Sequence, residues 1–202
     1  MGGALIVGAA GVLGGASAAS YDSGMRSLAA ASLLLIAGCR QPEPAPATAQ
    51  APAIGSLFAP ALGLLNEARP EPGLITSGQP TEAQFAALPA AGVATVIHLR
   101  PTTEKGTGWE EAKAKDLGLA FVRLPIDGAK DVTEANARKL AELLAGAKGP
   151  VLLSCGSSNR CGALLALKAR FVDGKSKDEA LAFGRSGGLK ALEPTVAGLL
   201  AK

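Results

Sequence analysis

From Gly73 onward the hydrophobic positions switch repeatedly between two spacings, short unbroken apolar runs and longer stretches with an apolar residue every three or four positions. The runs predict strands at Leu74-Ile75-Thr76, Val93 to Leu99, Leu119 to Leu124 and Val151 to Leu153. The longer stretches predict helices. Thr81 caps one through Ala91, with Phe85 and Leu88 on a single face and Gly92 closing it. A second runs from Trp109 to Leu117, stopped by Gly118, and Thr133 caps a third to about Ala145. A fourth covers Cys161 to about Val172. A fifth opens on the capping box Ser176-x-x-Glu179 and ends near Gly187-Gly188. A last helix follows from about Leu189, interrupted by Pro194, and a short apolar helix is expected over Leu57 to Leu65 despite Pro60. Strands alternating with helices imply an α/β fold, a mainly parallel central sheet of about four strands with helices on both faces.

The stretch PVLLSCGSSNRCGAL, residues 150–164, carries the candidate chemistry. Cys155 leaves the end of a buried strand, and Gly156, Ser157, Ser158 and Asn159 form a small-residue loop. Arg160 then opens a helix. A tight loop there turns its backbone N–H groups towards whatever sits above the sulfur, and the positive helix terminus points to the same place. The same field favours the thiolate of Cys155. Arg160 adds a planar fork suited to two oxygens of a phosphate. Ligands of open α/β sheets sit at the carboxyl ends of strands, where Cys155 falls.

Ahead of this region the chain has a different character. Gly8, Gly11 and Gly14 follow an apolar run, yet no βαβ unit or acidic strand end accompanies them, so they read as a Gly/Ala-rich leader. Met25-Arg26 is a short positive segment and Ser27 to Ala37 an apolar one, eleven residues long and too short to span a bilayer. Ile36-Ala37-Gly38-Cys39 resembles the lipobox of bacterial lipoproteins. That resemblance implies cleavage before Cys39, a lipid on Cys39, and a domain held at the periplasmic face of a bacterial membrane. Arg40 rather than aspartate follows, which points to the outer membrane, and Met25 is an alternative start. Residues 1–38 thus read as leader and signal peptide and 39–56 as a Pro/Ala-rich tether. Residues 57–202 read as the folded domain.

With 48% apolar but only 3% aromatic residues, the core must be built from Ala, Leu and Val. The net charge of +3 is too mild, and lacks the basic and aromatic interleaving, to suggest nucleic acid. No His/Cys/carboxylate set has metal-ligand spacing, so neither a metal nor another cofactor is expected. His98, the only histidine, alternates with Val96 in a strand and reads as structural. Arg100 and Glu104 either line the cleft or pair at the surface.

Three segments, TSGQPTEAQFAALPAAGVATVIHLRP, FVRLPIDG and VLLSCGSSNRCGALLAL, together resemble the bacterial cysteine phosphatase-like domain of beta-lactamase-hydrolase-like proteins. This is a branch of the tyrosine and dual-specificity phosphatase superfamily. The resemblance covers about residues 70–200. It puts the nucleophile on Cys155, the phosphate-gripping arginine on Arg160, and the general acid on Asp127, with Asp131 as second choice. It implies hydrolysis of a phosphate monoester, on a small molecule or a protein, through a phosphocysteine.

Three departures bear on that chemistry. Ser154 stands where a histidine often precedes the cysteine. The four residues between Cys155 and Arg160 are one fewer than in well-studied tyrosine phosphatases. That is the loop size of rhodanese-type sulfurtransferases, which makes sulfur transfer through a persulfide the rival reaction. Cys161 replaces a Ser or Thr, so a Cys155–Cys161 bridge is a candidate redox device outside the cytoplasm. A third reading is a lipoprotein that keeps the fold and binds an anion or a partner without catalysis.

Overall fold

The structure is a computed structural model, and it describes residues 61–201. The leader, the Cys39 lipobox, the tether and residues 57–60 of the first expected helix lie outside the described residues. Residues 61–65 are not helical.

Five strands form one sheet: β1 (Ala68–Glu71), β2 (Leu74–Ser77), β3 (Thr95–His98), β4 (Ala120–Arg123) and β5 (Val151–Ser154), in the order β1-β2-β5-β3-β4. All neighbours are parallel except β1 and β2. The strand beyond the expected four is β1, an edge strand whose residues alternate between half-buried and exposed. Pro70 sits within it, which an edge tolerates because one side needs no donor. Pro72-Gly73 makes the turn into β2, with Gly73 at φ 79°, a backbone region a side chain would strain.

Among the described residues six α-helices cover the two faces: α1 (Glu82–Ala86), α2 (Glu110–Asp116), α3 (Glu134–Ala145), α4 (Asn159–Phe171), α5 (Lys177–Ser186) and α6 (Glu193–Leu199). The caps fall where the sequence puts them. Thr81 and Ser176 form complete capping boxes, and Thr133 accepts the Asn136 N–H. The first helix stops at Ala86 rather than Ala91, because Pro89 has no N–H and disfavours helix at the residue before it; turns carry the chain to Gly92. Pro194 lies in the first turn of α6, so the last helix starts there rather than being interrupted.

Strand alternation divides the core in two. Ile75, Val96 and Leu152 pack with Phe85, Leu88 and Ala114 of the α1/α2 face. Leu74, Ile97, Val151 and Leu153 pack beneath α3 to α6 with Leu140, Leu164 and Leu167. Among the described residues the fully buried hydrophobic side chains are aliphatic apart from Phe85 and the two cysteines, as the low aromatic content leads one to expect. The parallel strands are in register, so Ser77, Ser154, His98 and Arg123 stand in one row at their carboxyl ends. β5 lies in the middle of that row. Its exit loop is therefore flanked by the exits of β2 and β3.

Candidate active site

Cys155 follows β5 directly and is buried. Its loop is shaped by where its carbonyls go. The Gly156 carbonyl accepts the Gln79 N–H at 3.3 Å, the Ser157 carbonyl accepts the Asn66 amide at 3.0 Å, and the Ser158 carbonyl accepts the Gly162 N–H at 3.0 Å. With these oxygens held outward by the SGQP turn, the 63–67 loop and α4, the N–H groups face in. Those of Ser157, Arg160 and Cys161 donate to the Cys155 sulfur. Gly78 allows the close approach, since a Cβ there would lie 2.9 Å from the Gly156 oxygen. Ser158 adopts a left-handed conformation at φ 69°. Its hydroxyl donates to the Gly187 carbonyl at 3.1 Å. The Asn159 side chain accepts the N–H groups of Lys190, at 2.8 Å, and Leu192, at 3.3 Å. The side chains of Ser158 and Asn159 thus brace the loop from behind, while the Ser157 N–H faces the sulfur.

The Cys161 thiol is the strongest influence on Cys155. It donates to the Cys155 sulfur, and with the three amides it outweighs burial and lowers the Cys155 pKa from 9.0 to about 5. Burial, followed by the hydrogen bond to Cys155 and then the Cys155 charge, pushes the Cys161 thiol well above its usual value, so it keeps its proton. Both thiols are free. The absence of a histidine at Ser154 is thus offset by a sulfur donor within the loop. His98, opposite Ser154 on β3, places Nδ1 2.8 Å from the Ser154 hydroxyl and is fully buried. Burial lowers its pKa to about 4, so it is neutral near pH 7.

Arg160 lies over the loop, with Nη2 3.2 Å from where a Cβ of Gly156 would stand. Its Nη2 donates to Glu104 Oε2 at 3.0 Å and its Nη1 to Glu104 Oε1, a two-point contact that fixes the plane of the fork. Nη1 also donates to the Ile126 carbonyl at 2.6 Å. Arg100 shares the carboxylate, its Nε donating to Glu104 Oε2 at 2.6 Å. The hydrogen bond from Arg160, assisted by Arg100, holds Glu104 at about 2, well below the usual carboxylate range. Arg100 and Glu104 do pair with each other, and the pair also holds Arg160 beside the cysteine loop. The polar loop 101–108, which has no period to read, supplies the partner that orients Arg160.

Asp127 follows Ile126, so its backbone is docked beside Arg160. Its carboxylate is 62% exposed and paired with Lys130. Asp131 accepts the Asp127 N–H at 2.7 Å and so shapes the short 3-10 turn Gly128–Asp131. Two further residues at this end of the sheet, Gln79 and Glu110, carry no mark in the sequence beyond the SGQP turn itself. Among the described residues no three His, Cys, Asp or Glu side chains converge as a metal ion would need.

A family model described as "DSP-PTPase phosphatase fused to NAD+ Kinase" matches residues 63–191. Over 120 residues, 57% of this chain, the sequence is 35% identical to the beta-lactamase hydrolase-like protein of Xylella fastidiosa. It is 31% identical to the protein of that name from Agrobacterium fabrum. The match spans 27% of the length of each of these curated relatives. Among solved structures, TpbA of P. aeruginosa in complex with pTyr aligns with a TM-score of 0.54 at 24% identity, covering 67% of this chain and 83% of that one. A candidate phosphatase from Shewanella putrefaciens aligns with a TM-score of 0.51 at 26% identity, covering 69% of this chain and 88% of that one. The likeness to TpbA is one of fold, and the sheet, the helices and the cysteine loop agree with the sequence match. The chain therefore belongs to the DSP-PTPase phosphatase family and carries a phosphatase-like domain of the cysteine type.

Proposed function

We propose that the domain hydrolyses phosphate monoesters through a phosphocysteine intermediate. The observation that carries this reading is the convergence of the Ser157, Arg160 and Cys161 amides on a buried sulfur whose pKa lies at about 5. Near pH 7 that sulfur is a thiolate, and groups that stabilise its negative charge also suit phosphoryl oxygens placed above it. The Cys155 thiolate attacks phosphorus, an S–P bond forms, and the bond to the leaving oxygen breaks. The main-chain amides and the Arg160 fork hold the equatorial oxygens. Asp127 gives its proton to the leaving oxygen. It then takes one from the water that attacks phosphorus, the S–P bond breaks, and inorganic phosphate leaves with the thiolate restored. For this Asp127 must leave Lys130 and turn inward.

The substrate is a phosphorylated small molecule or protein. The test compares release of phosphate from an aryl phosphate with sulfur transfer from thiosulfate to cyanide, using the reduced protein and its Cys155→Ser variant. Phosphate release that disappears in the variant is the expected result. Sulfur transfer without phosphate release replaces the reading with a sulfurtransferase, and neither reaction makes the domain a binding module. Cys39, outside the described residues, is proposed as the lipid anchor to a bacterial membrane, facing the periplasm. In a bacterial host, the chain should fractionate with membranes and lose the acyl mass in Cys39→Ser.

A further inference from the structure

Glu110 opens α2 and is fully buried, a rare position for a carboxylate. Its Oε2 accepts the Gly108 N–H at 2.7 Å, the Thr107 hydroxyl at 3.1 Å and the Arg123 guanidinium at 3.2 Å. Burial alone would raise its pKa, but its own N–H, that of Gly108 and the Gln79 amide outweigh this and hold it at about 2. No step of the chemistry above uses Glu110. Its Oε1, however, is tied towards the site by one side chain. Gln79 Nε2 donates to that oxygen at 2.9 Å, while Gln79 Oε1 accepts Arg100 Nη1 at 2.8 Å. A carboxylate on one side and a guanidinium on the other leave the amide a single workable orientation.

Arg100 passes the constraint on. Its Nε donates to Glu104 Oε2 at 2.6 Å and its Nη2 to the Lys105 carbonyl at 2.6 Å. Glu104 then grips Arg160 at two points. The main-chain N–H of Gln79 meanwhile donates to the Gly156 carbonyl in the cysteine loop. One residue therefore touches the cysteine loop through its backbone and, through its side chain, the Arg100 that shares Glu104 with Arg160.

We propose that Gln79 is a positioning residue for Arg160: its amide, set by buried Glu110, fixes Arg100 and Glu104 and so the plane in which the Arg160 fork meets an oxyanion. The inference rests on the reading of Arg160 as the anion-gripping side chain. Without the amide, Arg100 loses one of its three fixed contacts and Glu110 Oε1 keeps only the ring of His98, whose Nε2 lies 3.4 Å away. The Arg160–Glu104 pair is then free to rock as a unit. The cost falls on oxyanion affinity and on turnover, and it falls only where Arg160 is present to transmit it.

The experiment measures binding of inorganic tungstate to the reduced full chain by calorimetry, so it needs no turnover. In Gln79→Met the dissociation constant should rise about tenfold, the size of coupling expected between residues of one hydrogen-bond network. The double variant Gln79→Glu/Glu110→Gln exchanges carboxylate and amide while keeping a donor facing an acceptor, and it should restore most of the affinity. In an Arg160→Lys background, Gln79→Met should add less than about twofold. Unchanged affinity in Gln79→Met, no recovery in the exchanged pair, or a full tenfold loss in the Arg160→Lys background each overturns the proposal. Tungstate binding indifferent to Arg160→Lys itself would instead overturn the underlying role of Arg160, and the two failures are thus distinct.

Discussion

Replacing Cys161 by alanine tests the electrostatics of the site most directly. The fall of the Cys155 pKa from 9.0 to about 5 corresponds to roughly 5 kcal/mol of preference for the thiolate over the thiol. Burial works against that preference, so the donors supply more than the net. The Cys161 thiol is the largest of them, ahead of the Ser157, Cys161 and Arg160 amides. The thiol has other acceptors, the Leu153 carbonyl at 3.5 Å and the Ser77 carbonyl at 3.8 Å, but a thiolate is the stronger one. A hydrogen bond to a charged group contributes about 1.5–3 kcal/mol. Its loss should therefore raise the pKa by one to two, to about 6 or 7. The assay is the rate of iodoacetamide alkylation against pH, read beside the ultraviolet absorbance of the thiolate. The wild-type midpoint is expected near 5 and that of Cys161→Ala at about 6 or 7, with Cys161→Ser, which keeps a donor, closer to wild type. A Cys161→Ala midpoint still near 5 would show that the amides suffice and would refute the role given to the thiol.

The same shift has a consequence for stability. The folded pKa of Cys155 lies below that of the unfolded chain, so the folded state sheds its proton first. Its contribution is complete above about pH 9 and is lost as the pH falls towards 5, at about 1.4 kcal/mol per pH unit. The stability difference between wild type and Cys155→Ser in urea should grow with pH across that window, and a flat difference would contradict the thiolate assignment.

Three other perturbations probe separate parts of the site. Glu104→Gln removes the charged two-point partner of Arg160, and kcat/KM for an aryl phosphate should fall by about ten- to a hundredfold while the thermal midpoint changes little. Asp127→Asn should cost about a hundredfold or more with an alkyl phosphate but much less with a nitrophenyl ester, whose leaving oxygen needs no proton; equal losses would move the acid elsewhere. Gly162→Ala places a Cβ 2.1 Å from the Leu189 nitrogen and 2.5 Å from the Gly184 carbonyl where α4 meets α5. Both are backbone atoms, so a loss of about 3 kcal/mol, the upper end for overpacking, should be seen by urea unfolding.

Much of this protein is decided by neighbours in the chain. The caps at Thr81, Thr133 and Ser176, the buried runs of β2, β3 and β5, and the cysteine leaving a strand for a helix depend on residues a few positions apart. Local hydrogen bonds and side-chain periodicity write them directly into the order of amino acids. The edge strand β1 is different, because half its residues face solvent and it contains Pro70. Only pairing with β2 makes it a strand. The anion site depends still more on packing. Cys155 and Arg160 are legible because they share one loop, but Glu104 lies 56 residues from Arg160 in a stretch without period. Glu110 looks like an ordinary first-turn acid until α2 is laid against the sheet. Their roles arise when β5 is inserted between β2 and β3 and three strand ends meet in one row. A charge on a loop has no preferred partner in the extended chain, and it acquires one only when the fold removes water and fixes its neighbours.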